Sequence, residues 1–521
     1  MSSPTPSTPF ARPIVGPPNT ANGDSGAGGQ NDYAQWWTMR PYLRAMLETD
    51  YNPRFYGTTT DDVAINAAIL DASLAGGGVV WLDGSVWTLN SPLLLAAPNV
   101  LVIGAGRGAT WLKPSATYSA TNMILITANQ CGVLNLTIAY SSTLGAGSAG
   151  NPPADGIQVT GARDTLLERL ELRGINGWAI QSQASATVAN LDTHIIGVHV
   201  LHCASGIHIQ GNPSTNFGAQ HFIVAPNLEI CDSGDCLFIE DANDVQVSII
   251  NGAAAQGVAT NSMLHIKGAS SSILLSAPDI GVFPGPANAP VTLIEAGPNG
   301  SPSGVKCVGG VMQGGTSAIS ISSGKDIKFV GMTIKGAAGD GAQVSGATGA
   351  ITFTDCTFMT NGAGGGTAYD LNLTTAASPF VYVRGGSMET PIGAGAGKVA
   401  ASVNDPNHRG DFGSVSFLAA SAPSQVFAAG TFPQIVRHCP GYNPRGAVTA
   451  PTIGASPFTT STSQHDVNIM FTAINTLTAF KVGGTAVGVL PVAGVSYHVA
   501  ARQSLELDYS GAAPTWQWFA D

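Results

Sequence analysis

The stretch LEICDSGDCLFIEDANDVQV, from Leu228 to Val247, places Glu229, Asp232, Asp235, Glu240, Asp241 and Asp244 within sixteen positions. Two carboxyl groups held across a sugar–sugar bond can divide the work of cleaving it. One, raised in pKa, protonates the leaving oxygen, while the other activates water or attacks the ring carbon. Glu229, Asp232, Asp235 and Glu240 are the candidates for that catalytic role if the chain is an enzyme. The same residues have a second reading. Asp232, Asp235 and Asp244 stand beside Gly, Ser or Asn, where a carboxylate commonly caps a turn. Calcium binding is a third reading, but the spacing fits no EF-hand loop, and neither a metal nor a cofactor is expected.

Three other groupings bear on chemistry. THIIGVHVLHCASGIHIQ carries His194, His199, His202 and His208 on successive segments. His199 and His208 have apolar neighbours on both sides, so in strands they point outward. They read either as polar surface positions or as groups for metal binding or proton transfer. GKDIKFVGMTIKG carries Lys325, Lys328 and Lys335, which read as a solvated basic face. Among the eight tryptophans, Trp178 in GINGWAIQ sits beside Gly turns in mid-chain, where a lateral groove would take a sugar ring. Burial in a seam between copies of the chain explains Trp178 equally well.

The elements that must position these residues are short. From about Asn99 to Thr390 the chain repeats alternating apolar strands separated by Gly, Asn or Asp turns, as in CGVLNLTIAY, DTLLERLELRG, IIGVHVLHC, VQVSIIN, DIKFVGMTIKG and AITFTDCTFMTN. Without long helices between strands a doubly wound sheet cannot form, and without regular two-residue hairpins a simple sandwich is disfavoured. Stacked coils satisfy both facts: each strand pairs with its equivalent one coil up and down, and inward Val, Ile and Leu form continuous columns. The first coil of such a stack exposes unpaired backbone and an apolar end. The run TTTDDVAINAAILDASLAGGGVVWLDG supplies its cover. Thr60 or Asp61 caps a helix over 61–75, Val63, Ala64, Ala67, Ala68 and Leu70 form its apolar stripe, and Gly76 to Gly78 end it before a strand at Val79.

Composition narrows the functions. The chain has 521 residues, 44% of them hydrophobic, with 65 glycines and only 10% charged residues. Such a surface, built from Ser, Thr, Asn, Ala and Gly, suits tight packing between chains. The net charge of -11 argues against a phosphate-tracking groove, so nucleic acid is not an expected partner. No apolar run is long enough to span a bilayer, and the amino terminus lacks the pattern of a signal peptide. The seven cysteines are odd in number and scattered, which reads as small buried residues of a chain made in cytoplasm rather than a disulfide framework.

The segment from Thr58 through NVLVIGAGRGATWLKP resembles the opening module of the pectate-lyase-like, right-handed parallel β-helix proteins found as bacteriophage tailspikes. The matching features are the Asp-Asp before the helix, the GGG, the strand ending in a Gly turn, and NVLVIGAG followed by Thr110. FYGTTTDD replaces the usual Gly-Asp-Gly approach, and Asp83 replaces the usual Pro. The resemblance implies an all-β fold, a homotrimer, a place in the virion and binding to a host cell-surface glycan. A structural adaptor and a glycan depolymerase stand as alternatives, because the scaffold carries lyases, hydrolases and inert binders alike. Residues 1–50 read as an extended arm with short helices for attachment to other virion proteins, and 51–390 as the β-helix. Residues 391–449 read as a linker with strands that wrap onto neighbouring chains. Residues 450–521 alternate cleanly between Gly and Pro turns and read as a small β-sandwich, similar to carboxy-terminal modules of phage structural proteins.

Overall fold

The computed structural model describes residues 50–56, 60–140, 155–185, 187–212, 218–229, 231–254, 262–282, 289–346, 349–362, 368–373, 380–389, 401–403, 409–418, 435–437, 439, 446–462, 466–500 and 502–520. The arm, with Trp36 and Trp37, lies outside them. Asp50–Tyr51 opens the first sheet, and the helix Asp61–Leu74 follows. Thr60 occupies the N-cap position with extended backbone but makes no side-chain cap hydrogen bond. The two aspartates serve instead as anchors: the Thr88 amide donates to Asp61 at 2.7 Å and the Ser91 hydroxyl to Asp62 at 2.6 Å, tying the helix to the first coil. The buried stripe is Ala64, Ile65, Ala68, Ile69 and Ala72, whereas Val63 and Leu70 are exposed. The stripe read from the sequence was thus one position out of phase, because small alanines allow either face to dock.

Each coil contributes one strand to each of three parallel sheets, and within the described residues these form a parallel β-helix. Sheet A has 15 strands, sheet B 13 and sheet C 12. One coil runs Arg163–Glu168 in sheet A, Glu171–Arg173 in sheet B and Trp178–Gln183 in sheet C, before Leu191–Ile196 returns to sheet A. Side chains alternate in and out with period two. The inward column of sheet A includes Val133, Leu167, Ile195, Ile223, Val247, Leu275, Cys307, Phe329 and Phe353, all buried. The corner from sheet A to sheet B holds one residue in the left-handed region in coil after coil: Asn135, Arg169, Gly197, Ala225, Ile249, Ala277, Gly309 and Gly331. That corner, together with a second left-handed position at the entry to sheet A held by Asp164, Asp192, Asp244 and Asp326, is why Gly, Asn and Asp punctuate the sequence so regularly. All seven cysteines are buried with free thiols.

The solenoid continues past residue 390. Ala401–Val403, Arg409–Gly413, Ser416–Leu418 and Ile435–Arg437 extend sheets C, A, B and A of the same chain, where a linker with strands wrapping onto neighbours was expected. The spacing between these strands varies along the sequence, so the period is obscured. Residues 446–520 form two four-stranded antiparallel sheets around Ile469, Phe471, Phe480, Leu507, Trp516 and Trp518, a cluster separate from the solenoid core. No helix among the described residues is long and apolar enough to cross a membrane.

Candidate functional site

The candidate acids disperse when the coils are stacked. Glu229 points out from sheet B, where the Asn227 amide donates to it at 2.6 Å and His199 lies 3.5 Å away. It edges a trough of about 660 Å³ whose other walls include Asn251, Asp279, Gln313 and Lys335. The trough exists because Ala253 and Gly281 take the outward positions between the Glu229 and Gln313 strands. Asp232 sits in the following connection, 3.5 Å from His202. Only Asp235 and Glu240 share a face, that of sheet C. The histidines separate likewise: His194 projects from sheet A, His199 from sheet B and His208 from sheet C. Lys328 and Lys335 fall on different sheets, so the basic run builds no patch.

Sheet C carries the densest chemistry. One outward column runs Gln158, Gln181, His208, Phe238, His265 and Leu293, and its neighbour runs Thr160, Gln183, Gln210, Glu240, Lys267 and Glu295. The strand spacing brings rings into contact along the axis: Trp178 to His208 at 4.7 Å, His208 to Phe238 at 4.7 Å and Phe238 to His265 at 4.5 Å between centroids. Stacked in this way the rings cover one another's faces. Trp178, expected as a platform for a sugar, spends one face on His208.

Asp235 stands two residues before its strand. Its Oδ1 accepts the Ser262 amide at 2.8 Å, and its Oδ2 lies 2.7 Å from Nδ1 of His265. The other ring nitrogen is 3.2 Å from Glu295, which also meets Lys267 at 3.4 Å. Asp340 repeats the arrangement, accepting the Tyr369 amide at 2.9 Å and the Asn372 amide group at 2.7 Å. Asp155 accepts the Trp178 amide at 2.7 Å. A device used three times to bind one coil to the next is a turn cap, the second of the readings offered for Asp235. With His265 between them, Asp235 and Glu295 have no room for a glycosidic oxygen.

His208 differs. It is 5% exposed, neither ring nitrogen has a hydrogen bond, and Nε2 is 3.4 Å from Oε2 of Glu240. The His208 ring beside Glu240 holds that carboxyl below its usual range against the opposing effect of burial. Burial pushes Asp155 up, partly offset by the Trp178 amide and by the charge of His208. The two carboxyl groups thus have environments of opposite sign, and they lie on strands three ladder steps apart in sheet C. Sequence reading missed Asp155, His265, Lys267 and Glu295. The signal was there in the matching patterns DGIQVT, CLFIE, LHIK and TLIE, which align only once the third strand of each coil is recognised.

No known family and no curated protein matches the sequence. Similar solved structures include the A-module of mannuronan C-5 epimerase AlgE6 from Azotobacter vinelandii, at 14% identity and a TM-score of 0.49, covering 77% of this chain and all of that one. The Dettilon tailspike protein aligns at 11% identity and 0.44, covering 91% and 94%. Bacteriophage CBA120 tailspike protein 3 aligns at 12% and 0.44, covering 80% and 65%. Likenesses of this size carry no activity across. The parallel β-helix rests on the strand ladders themselves.

Proposed function

We propose that this chain is a phage virion spike that binds a host cell-surface glycan along the outer face of sheet C. The observation that carries the reading is the pair of outward columns from Gln158 to Glu295. They set amides, imidazoles, carboxylates and an ammonium at strand spacing, which suits a hydroxyl-rich polymer better than an apolar ligand. In this reading copies of the chain associate into a trimer, and residues 1–50 attach it to other virion proteins. Surface plasmon resonance against a panel of bacterial capsular polysaccharides and lipopolysaccharide chains tests the binding. Gln210→Ala and Glu240→Gln together should weaken the interaction by at least tenfold. Unchanged affinity, or no binding across the panel, would overturn it.

A further inference from the structure

Sheet A is unlike the other two. Reading outward along one column from the first coil gives Trp81, Ile103, Leu134, Glu168, Ile196, Val224, Ser248, Ser276, Val308, Val330 and Thr354. Glu168 is the single charge, and it pairs with Arg169 at 3.5 Å. The adjacent column adds His194, Phe222, Gln246 and Leu274, the histidine and phenylalanine rings stacked at 5.0 Å, before turning cationic at Lys306 and Lys328. Sheets B and C carry acids, amides and imidazoles at the equivalent positions. A polar-surfaced solenoid has no reason of its own to set an aliphatic column on one outer face.

A second observation comes from the corner beside this column. Ile249 adopts φ +54° and is 62% exposed, while the corners above and below use Ala225, Ala277, Gly309 and Gly331. A β-branched residue is the worst choice for a left-handed backbone. In water the isoleucine gains nothing in return; under a covering surface it gains burial.

We propose that the outer face of sheet A, centred on Ile196, Val224, Ile249 and Val308, is the contact surface for a second copy of this chain. The occupant follows from shape and charge. From the strand of Trp81 to that of Val330 is nine ladder steps, about 43 Å at about 4.8 Å per strand. With strands of three to six residues the face approaches the roughly 800 Å² per partner of a stable interface. A straight column repeating at strand spacing is matched by another solenoid with the same spacing. From Ile196 to Val308 the column holds no charged side chain, so identical faces meet along that stretch without like charges opposed.

The inference rests on the self-association part of the proposed function, and light scattering after size exclusion tests the two separately. The full chain, Val224→Glu, Ile249→Asn and the sheet B control Asn251→Glu are compared across micromolar concentrations, with circular dichroism to monitor the fold. Asparagine tolerates the left-handed corner, so Ile249→Asn folds even if the glutamate variant does not. The expected result is an oligomeric parent and control, a monomeric Val224→Glu, and an Ile249→Asn whose dissociation concentration rises at least tenfold. A monomeric parent overturns self-association and the face together. An oligomeric parent whose variants dissociate at the same concentration overturns the face alone.

Discussion

Buried titratable side chains give this protein a pH dependence that can be worked out residue by residue. His221 fills an inward position of sheet A, fully buried, and burial pushes its imidazole down to about 3. As pH falls below about 6.5 the unfolded chain takes up this proton while the folded chain does not, so stability is lost from there toward pH 3. Asp370 acts in the opposite sense. It lies in the solvent-free interior with the Asn361 amide donating to one oxygen at 2.8 Å and the other oxygen unpaired, and burial raises its carboxyl well above the ordinary value. Above about pH 4 the unfolded chain releases the proton that the folded chain keeps, so this group costs up to about 1.4 kcal/mol for each pH unit until its folded pKa is reached. Asp370→Asn removes the cost. Thermal melts of parent and variant should coincide near pH 4 and diverge in favour of the variant toward pH 8; an equal loss at every pH would mean that the carboxyl form is needed for structure.

At the scale of elements, the helix Asp61–Leu74 closes the first coil through Ile65, Ile69 and the buried alanines Ala64, Ala68 and Ala72. Truncating Ile65, which is completely buried, to alanine should cost about 2–5 kcal/mol through lost transfer energy and the cavity left behind. Asp62→Ala, which removes the partner of Ser91, should cost about 1–3 kcal/mol. Denaturant midpoints read both; a shift below 0.5 kcal/mol for Ile65→Ala would show that the cap is dispensable. The helix was legible because its start and stop are chemical, an Asp pair and three glycines, while its phase was not, since alanine packs on either side. The coils were legible through sheets A and B, joined by one left-handed residue, so that CGVLNLTIAY or DTLLERLELRG reads as strand, corner, strand. Sheet C follows connections of variable length, and its strands therefore fall out of period. Asp235 and Glu240 were found from their acidity and His208 from its run of histidines, but the residues stacked near them lie in other coils, His265 one coil from Asp235 and Asp155 two coils from His208, about 30 and 50 residues distant in sequence.

At the scale of the molecule, the solenoid and the carboxy-terminal sandwich have separate hydrophobic cores, and they fold by different rules. In the solenoid each coil touches its neighbours, so its stability accumulates along the axis and a defect is felt locally. The sandwich closes on itself with Phe471, Phe480, Trp516 and Trp518 in edge-to-face and tilted contacts between 5.3 and 5.8 Å. Strands such as Val467–Ala473, paired on both sides, make it one cooperative unit. Two cores should give two unfolding transitions. Phe471→Ala, at a fully buried position, should lower the sandwich transition by about 3–5 kcal/mol and leave the solenoid transition in place, while Leu275→Ala should do the reverse by about 2–5 kcal/mol. Calorimetry resolves them, and tryptophan fluorescence assigns them, since Trp516 and Trp518 report the sandwich and Trp87 and Trp178 the solenoid. A single transition that both substitutions move together would mean that the two cores are coupled, with the sandwich serving as the last coil's cover rather than as an independent module.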